Sequence, residues 1–239
     1  MWIRLLRVGG VRVYLDPVIA IVFAYLVFYS TPEHALWVPG TILLGSVLLH
    51  ELAHAWMARR RGLAVSGIFL HLVPFAYVER GKPQDELRVA LAGPALNLVI
   101  AGALFALPAV HGAFPWLELH AWFDEPLWAA FAINALMGVF NLVPALPADG
   151  GRALRAGLMT KLAPASAYGL TARVGTFVGA GCFFFVLLLW PSSDALILGA
   201  LGGFFILTAW REARIGQTER ARERAKARAE REAAESHVG

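Results

Sequence analysis

Three ionisable side chains fall within five consecutive residues, His50-Glu51-Leu52-Ala53-His54. On an α-helix, residues four apart stand one turn above each other. The two imidazoles therefore face one point and can share a metal ion. Glu51 is rotated by about 100° from His50, close enough to reach water at that metal without being a ligand. Such a pattern joins metal binding to a general base. Catalytic zinc commonly takes three protein ligands and leaves one position open, so two histidines require a third group. The candidate is Asp149, in the segment Asn141-Leu-Val-Pro144-Ala-Leu-Pro147-Ala-Asp149-Gly150-Gly151-Arg152. Two prolines end a helix there, and the paired glycines are expected to turn the chain and send the carboxylate back toward the bundle.

The elements that carry these residues are apolar. Of 239 residues, 58% are hydrophobic and 16% charged, well outside the balance of a soluble domain. A membrane-crossing helix needs about 20 apolar residues. The strong runs are 35–58, 89–110, 127–143 and 170–190, and 17–30 and 195–210 are shorter. The expectation is an all-α polytopic membrane protein of about six transmembrane helices, with short membrane-associated β-hairpins and a charged C-terminal helix. Six passes with the N-terminus inside put all 21 lysines and arginines on the inner side. The outer loops, 31–34, 111–125 and 191–194, then hold none. A basic composition of net charge +4 thereby reflects membrane topology and not nucleic-acid binding. The basic, apolar start is read as an uncleaved first span, because Asp16-Pro17 interrupts a signal-peptide pattern.

Ile3–Val8 and Val11–Leu15 flank Gly9-Gly10 and suggest a hairpin. The run Leu63–Val78, broken by Gly67 and Pro74, suggests short strands that must pack on protein or line a cavity. Beyond Trp210 the chain alternates Arg and Lys with Glu and Ala, a solvated helix with pairs such as Glu219 and Glu223 against Arg222 and Lys226. The expected division is a membrane-embedded domain, 1–210, and a charged cytoplasmic tail, 211–239. A single thiol, Cys182, excludes a disulfide framework and a cysteine zinc site.

Ionisable groups are costly in a membrane segment, by about 2.5–3.5 kcal/mol for a central aspartate, and usually mark function. Three together in one span are hard to explain by packing. H-E-x-x-H in one span and N-x-x-P-x-x-P-x-D-G-G in a later one resemble the site-2 protease family of intramembrane metalloproteases. Gly93-Pro-Ala-Leu-Asn97 is similar to that family's G-x-x-x-N element. The resemblance covers most of Val11–Arg155. It implies His50, His54 and Asp149 as ligands of one zinc per chain, and Glu51 as catalytic base. It also implies that Asn141 contacts the substrate or the reacting carbonyl. Interhelical hydrogen bonding is the competing role for Asn141, and for Asn97 and Asn134. The chain departs from the family at Ala148, where leucine is common, and at Pro74-Phe75-Ala76-Tyr77, where glycines are usual. The short outer loops leave no room for a PDZ insertion, and the tail is too short for a CBS module.

The expected activity is hydrolysis of peptide bonds of transmembrane substrates within or near the bilayer, as in regulated intramembrane proteolysis. The alternatives are a non-proteolytic zinc receptor or transporter, and a membrane zinc peptidase acting on cytosolic or lipidated peptides. An intact Glu51 disfavours the former, and an aspartate as third ligand disfavours the latter. The implied partners are a transmembrane-helix substrate, membrane lipid and a regulatory membrane protein. Both termini are expected in the cytoplasm, with the chain in the plasma or inner membrane of a prokaryote. His71 in the hairpin is read as structural, and His34, His111, His120 and His237 lie away from the site.

Overall fold

A computed structural model describes residues 2–30, 37–70, 75–78, 81–106, 126–189 and 193–236. The expected outer loops and His34, His71, His111, His120 and His237 fall wholly or largely outside the described residues. The chain forms two compact units, Met1–Leu142 and Val143–Gly239.

The first unit opens with β1 (Ile3–Val8) and β2 (Val11–Leu15), paired antiparallel. Gly9 and Gly10 join them with φ of 53° and 87°. Two consecutive positive φ values define the tight hairpin turn that glycine allows without steric cost. The strands expected in Leu63–Val78 are β3 (Val65–Leu70) and β4 (Phe75–Val78), antiparallel to each other. Parallel pairing of Val13 with Ile68 and Leu15 with Leu70 joins the two hairpins into one four-stranded sheet, ordered β1-β2-β3-β4. Two isolated hairpins would each be marginal, and their union buries an apolar face. Val11, Val13, Ile68 and Leu70 form that face and pack with Ala55, Leu48 and Leu52 of the helix that carries the histidines.

Three helices complete this site-bearing unit: α2 (Trp37–Arg60), α3 (Pro83–Ala106) and α4 (Pro126–Asn141), preceded by the short α1 (Pro17–Phe28). In α2 the buried residues are Ser46, His50, Glu51, His54, Ala55 and Ala58, while Leu43, Leu49 and Trp56 are exposed. Polar side chains face inward and apolar ones outward, as a helix surrounded by lipid requires. Close helix contacts use glycine. A Cβ on Gly138 of α4 would fall 2.7 Å from the Leu98 side chain of α3.

The second unit holds α5 (Asp149–Met159), α6 (Pro164–Leu189) and α7 (Ser193–Ser236). Here one expectation is corrected. Gly150 and Gly151 do not turn the chain; they lie in the first turn of α5. Gly151 serves close approach instead, since a Cβ there would sit 2.4 Å from Ala145 and Leu146 backbone atoms. The final apolar run and the charged tail form one uninterrupted 44-residue helix. Nothing at Trp210-Arg211 breaks helical propensity, so a change in solvation leaves the backbone continuous. Small residues bring α6 and α7 together, with a Cβ on Gly175 meeting Ala209 at 3.2 Å and one on Gly202 meeting the Gly179 carbonyl at 2.9 Å.

By length and apolarity, three helices among the described residues can cross a membrane: Trp37–Arg60, Pro83–Ala106 and Pro164–Val186. Pro17–Phe28 and Pro126–Asn141 are apolar but shorter; the fold is mostly helical with a small sheet, with three candidate spans among the described residues.

Candidate metal centre

His50, Glu51 and His54 are buried, with exposures of 4%, 6% and 2%. Their ligand-capable atoms all lie within 4.8 Å of one another. The Nε2 atoms of the two histidines are 3.1 Å apart. What decides whether they can hold a cation is where each ring carries its proton.

Hydrogen-bond direction answers that. His54 Nδ1 lies 2.6 Å from the Val89 carbonyl, which only accepts, so Nδ1 carries the proton and Nε2 keeps its lone pair. For His50 the direction is set three residues away. Asn134 donates Nδ2 to the Ala130 carbonyl at 2.8 Å and to Ser46 Oγ at 3.0 Å. Its Oδ1 is thereby turned to Asn97, whose Nδ2 donates to it at 2.8 Å. Asn97 must then offer Oδ1 to His50 Nδ1, 2.5 Å away. That nitrogen donates, and His50 Nε2 also presents a lone pair. The chain Ser46–Asn134–Asn97–His50 closes on α2 after passing through α4 and α3. It supplies the outer partners that orient metal-binding imidazoles.

Two lone pairs 3.1 Å apart repel unless a cation lies between them. Two imidazole nitrogens bonded to a tetrahedral zinc at 2.0–2.1 Å would be about 3.3 Å apart. Space is kept for it: a Cβ built on Gly93 of α3 would lie 2.4 Å from His54 Nε2 and 2.7 Å from His50 Nε2. Any larger residue at Gly93 would thus enter the volume the ion needs. Donor set, proton positions and the space left at Gly93 fit zinc.

Asp149 occupies the first turn of α5 in the second unit and is buried, with 6% of its surface exposed. Arg152, one turn along, donates to its Oδ1 at 2.7 Å. A carboxylate at a helix N-terminus is also favoured by the helix dipole. Asn141 ends α4 and donates Nδ2 to the Met137 carbonyl of its own helix at 3.0 Å. The structure therefore gathers His50, Glu51 and His54 in the first unit and presents Asp149 on the second. Asn97 and Asn134, weighed in sequence between function and packing, support His50. Ser46 and the Val89 carbonyl were not singled out. Ser46 has a helical signal, since it lies four residues before His50, whereas a backbone carbonyl leaves no trace in sequence.

Residues 40–119 match the family model described as Peptidase family M50. The fold superposes on the solved "Site-2 Protease from Methanocaldococcus jannaschii" with a TM-score of 0.61 and 28% identity, covering 89% of this chain and 95% of that one. Over residues 40–119 this chain matches a peptidase family M50, or site-2 protease, domain. Rip3 of Mycobacterium tuberculosis, whose name places it among the zinc metalloproteases, is 33% identical over 76% of this chain and 48% of its own length. Zinc metalloprotease MJ0392 of Methanocaldococcus jannaschii is 28% identical over 91% of this chain and 62% of its own. The chain thus spans about half to three-fifths of these curated relatives. Within the M50 match lie both histidines, Glu51, Gly93 and Asn97. Together with three membrane-length helices, the M50 domain points to an integral membrane protein.

Proposed function

We propose that this chain is a zinc-dependent endopeptidase that hydrolyses peptide bonds of transmembrane substrates within or beside the bilayer. One observation carries the reading: a buried His-Glu-His cluster, both Nε2 lone pairs converging, on a helix apolar enough to cross a membrane. His50 and His54 would hold one zinc per chain, with Asp149 as third ligand. When bound, zinc supplies Lewis acidity that acidifies water and polarises the scissile carbonyl. Glu51 accepts the water proton and delivers it to the leaving amine. Asn141 steadies the substrate backbone near the reacting carbonyl. A helical substrate must unwind locally before attack, because its carbonyls are held in i→i−4 bonds. β4, with β3 on one side and no strand on the other among the described residues, offers an edge to the unwound segment.

In this reading residues 1–210 form the membrane-embedded protease and 211–239 a cytoplasmic tail, with both termini inside the cell. A regulatory membrane partner would control substrate delivery. The test is cleavage of single-span substrates by purified protein in detergent, with zinc read by mass spectrometry. Wild type should cut within the span. Glu51→Gln should retain about one zinc and lose at least 100-fold in rate, the range a positioned proton-transfer group supplies. Full activity in the Glu51→Gln protein would overturn the assignment. Zinc bound without cleavage of any substrate would favour a receptor or transporter.

A further inference from the structure

A second site lies between α6 and α7. A groove of about 510 Å³ runs along the two helices, floored by Ala165, Gly169, Ala172, Ala209, Ala213 and Gly216. Its other lining residues are spread along it. By the register of the two helices, Gln217 and Arg220 stand at the end near Ala165, Thr176 and Ile206 at the other, and Arg173 and Trp210 between them. This order follows from helical spacing. Ile206, Trp210, Ala213, Gln217 and Arg220 recur at intervals of three and four on one face of α7. Gly169, Arg173 and Thr176 do the same on α6. Contacts of Gly216 with Ala165 and of Gly179 with Ile206 show that the helices run antiparallel. Arg220 Nη2 lies 3.4 Å from where a Cβ on Gly169 would be, one turn from Arg173.

Among the described residues the two arginines of the groove are not ion-paired, although the Glu223 carboxylate lies at the Ala165 end. Nearby carboxylates are committed elsewhere: Glu212 to Arg155, Glu219 to Arg222, and Glu223 to the Ala165 amide. Among the described residues, Arg173 and Arg220 have no carboxylate partner. The whole α6 side of the groove, Ala165 to Thr176, lies within that helix's membrane-length stretch, Pro164–Val186, and Trp210 on α7 is a residue type suited to the headgroup boundary. Two guanidiniums above an apolar slot of small residues match an anionic amphiphile. We infer that this groove binds one anionic phospholipid, its phosphate held by Arg173 and Arg220 with Gln217 donating, and an acyl chain lying past Thr176 and Ile206. Basic pockets between membrane helices recognise phosphate headgroups in this way. The inference stands apart from proteolysis, since none of these residues belongs to the metal centre.

The test is native mass spectrometry of the full-length protein released from detergent after titration with phosphatidylglycerol or phosphatidylcholine of identical acyl chains. Inorganic phosphate is included as a competitor. One phosphatidylglycerol should be retained in preference to phosphatidylcholine. Arg173→Gln and Arg220→Gln should each weaken it about fivefold, the scale of one basic residue at an anionic surface. Arg173→Lys and Arg220→Lys should keep most of the binding. Thr176→Phe, which fills the apolar slot without changing charge, should weaken it as well, whereas Arg228→Gln on the exposed tail should not. Equal retention of the two lipids would overturn the proposal, and so would an equal loss with Arg228→Gln. Displacement by millimolar phosphate, with Thr176→Phe unaffected, would mark a free-anion site and reject the lipid.

Discussion

Gly93 shows how much one hydrogen atom in place of a methyl group can decide. Its missing Cβ would stand within 2.7 Å of both Nε2 atoms. Gly93→Ala is therefore expected to lower zinc occupancy by at least 10-fold while leaving the helical circular dichroism intact, because α3 accepts alanine readily elsewhere. Asn97 acts differently, through the proton on His50. Asn97→Leu removes the acceptor for His50 Nδ1 and frees the ring to adopt the other tautomer or to rotate. Loss of such an outer partner typically costs 10–100-fold in metal affinity. Competition with a zinc chelator would measure it, and unchanged affinity would show that His50 is oriented by packing alone.

At the scale of elements, α5 is tied to α7 by buried contacts. Arg155 donates to both oxygens of Glu212 at 3.0 and 3.1 Å, and the Thr208 hydroxyl reaches the Leu146 carbonyl just before α5. Glu212 is only 6% exposed, so removing its partner leaves a carboxylate with little solvent. Arg155→Met should destabilise the protein by about 3 kcal/mol, the low end for a broken buried pair because Arg155 keeps some access to water. Arg155→Met with Glu212→Leu should recover much of that loss. Thermal melts of the two variants, followed by zinc content, would show whether the tie also serves Asp149. Unchanged zinc despite lowered stability would separate the tie from the metal.

For the whole molecule, the governing fact is the distribution of charge. If, as the six-pass reading proposes, every lysine and arginine lies on one side, the tail of α7 and residues 59–61 share a compartment, opposite residues 111–125. Only Cys182 needs replacing to give a cysteine-free background. Single cysteines placed at Ala229 and Ala113 should then label on opposite faces of intact cells. Ala113 should react with an impermeant reagent directly, and Ala229 only after permeabilisation. Labelling of both from outside would invert or break the six-pass arrangement.

Much of this protein was legible in sequence because its main signals are periodic and local. H-E-x-x-H needs only the 3.6-residue turn to bring two imidazoles together, and Gly9-Gly10 needs only its permitted φ values to make a hairpin. Hydrophobic runs likewise announce membrane helices, since lipid imposes a minimum length. The tertiary structure decided what depends on neighbours distant along the chain. Parallel pairing of β2 with β3 merged two hairpins into one sheet. Packing against residues 145 and 146 made Gly151 a contact residue within a helix, although its sequence setting suggests a turn. The proton position on His50 was settled at the Ala130 carbonyl, through two asparagines on two other helices. Ligand identity is thus written in local spacing, whereas ligand protonation and the space for an ion arise from contacts that only the folded chain creates.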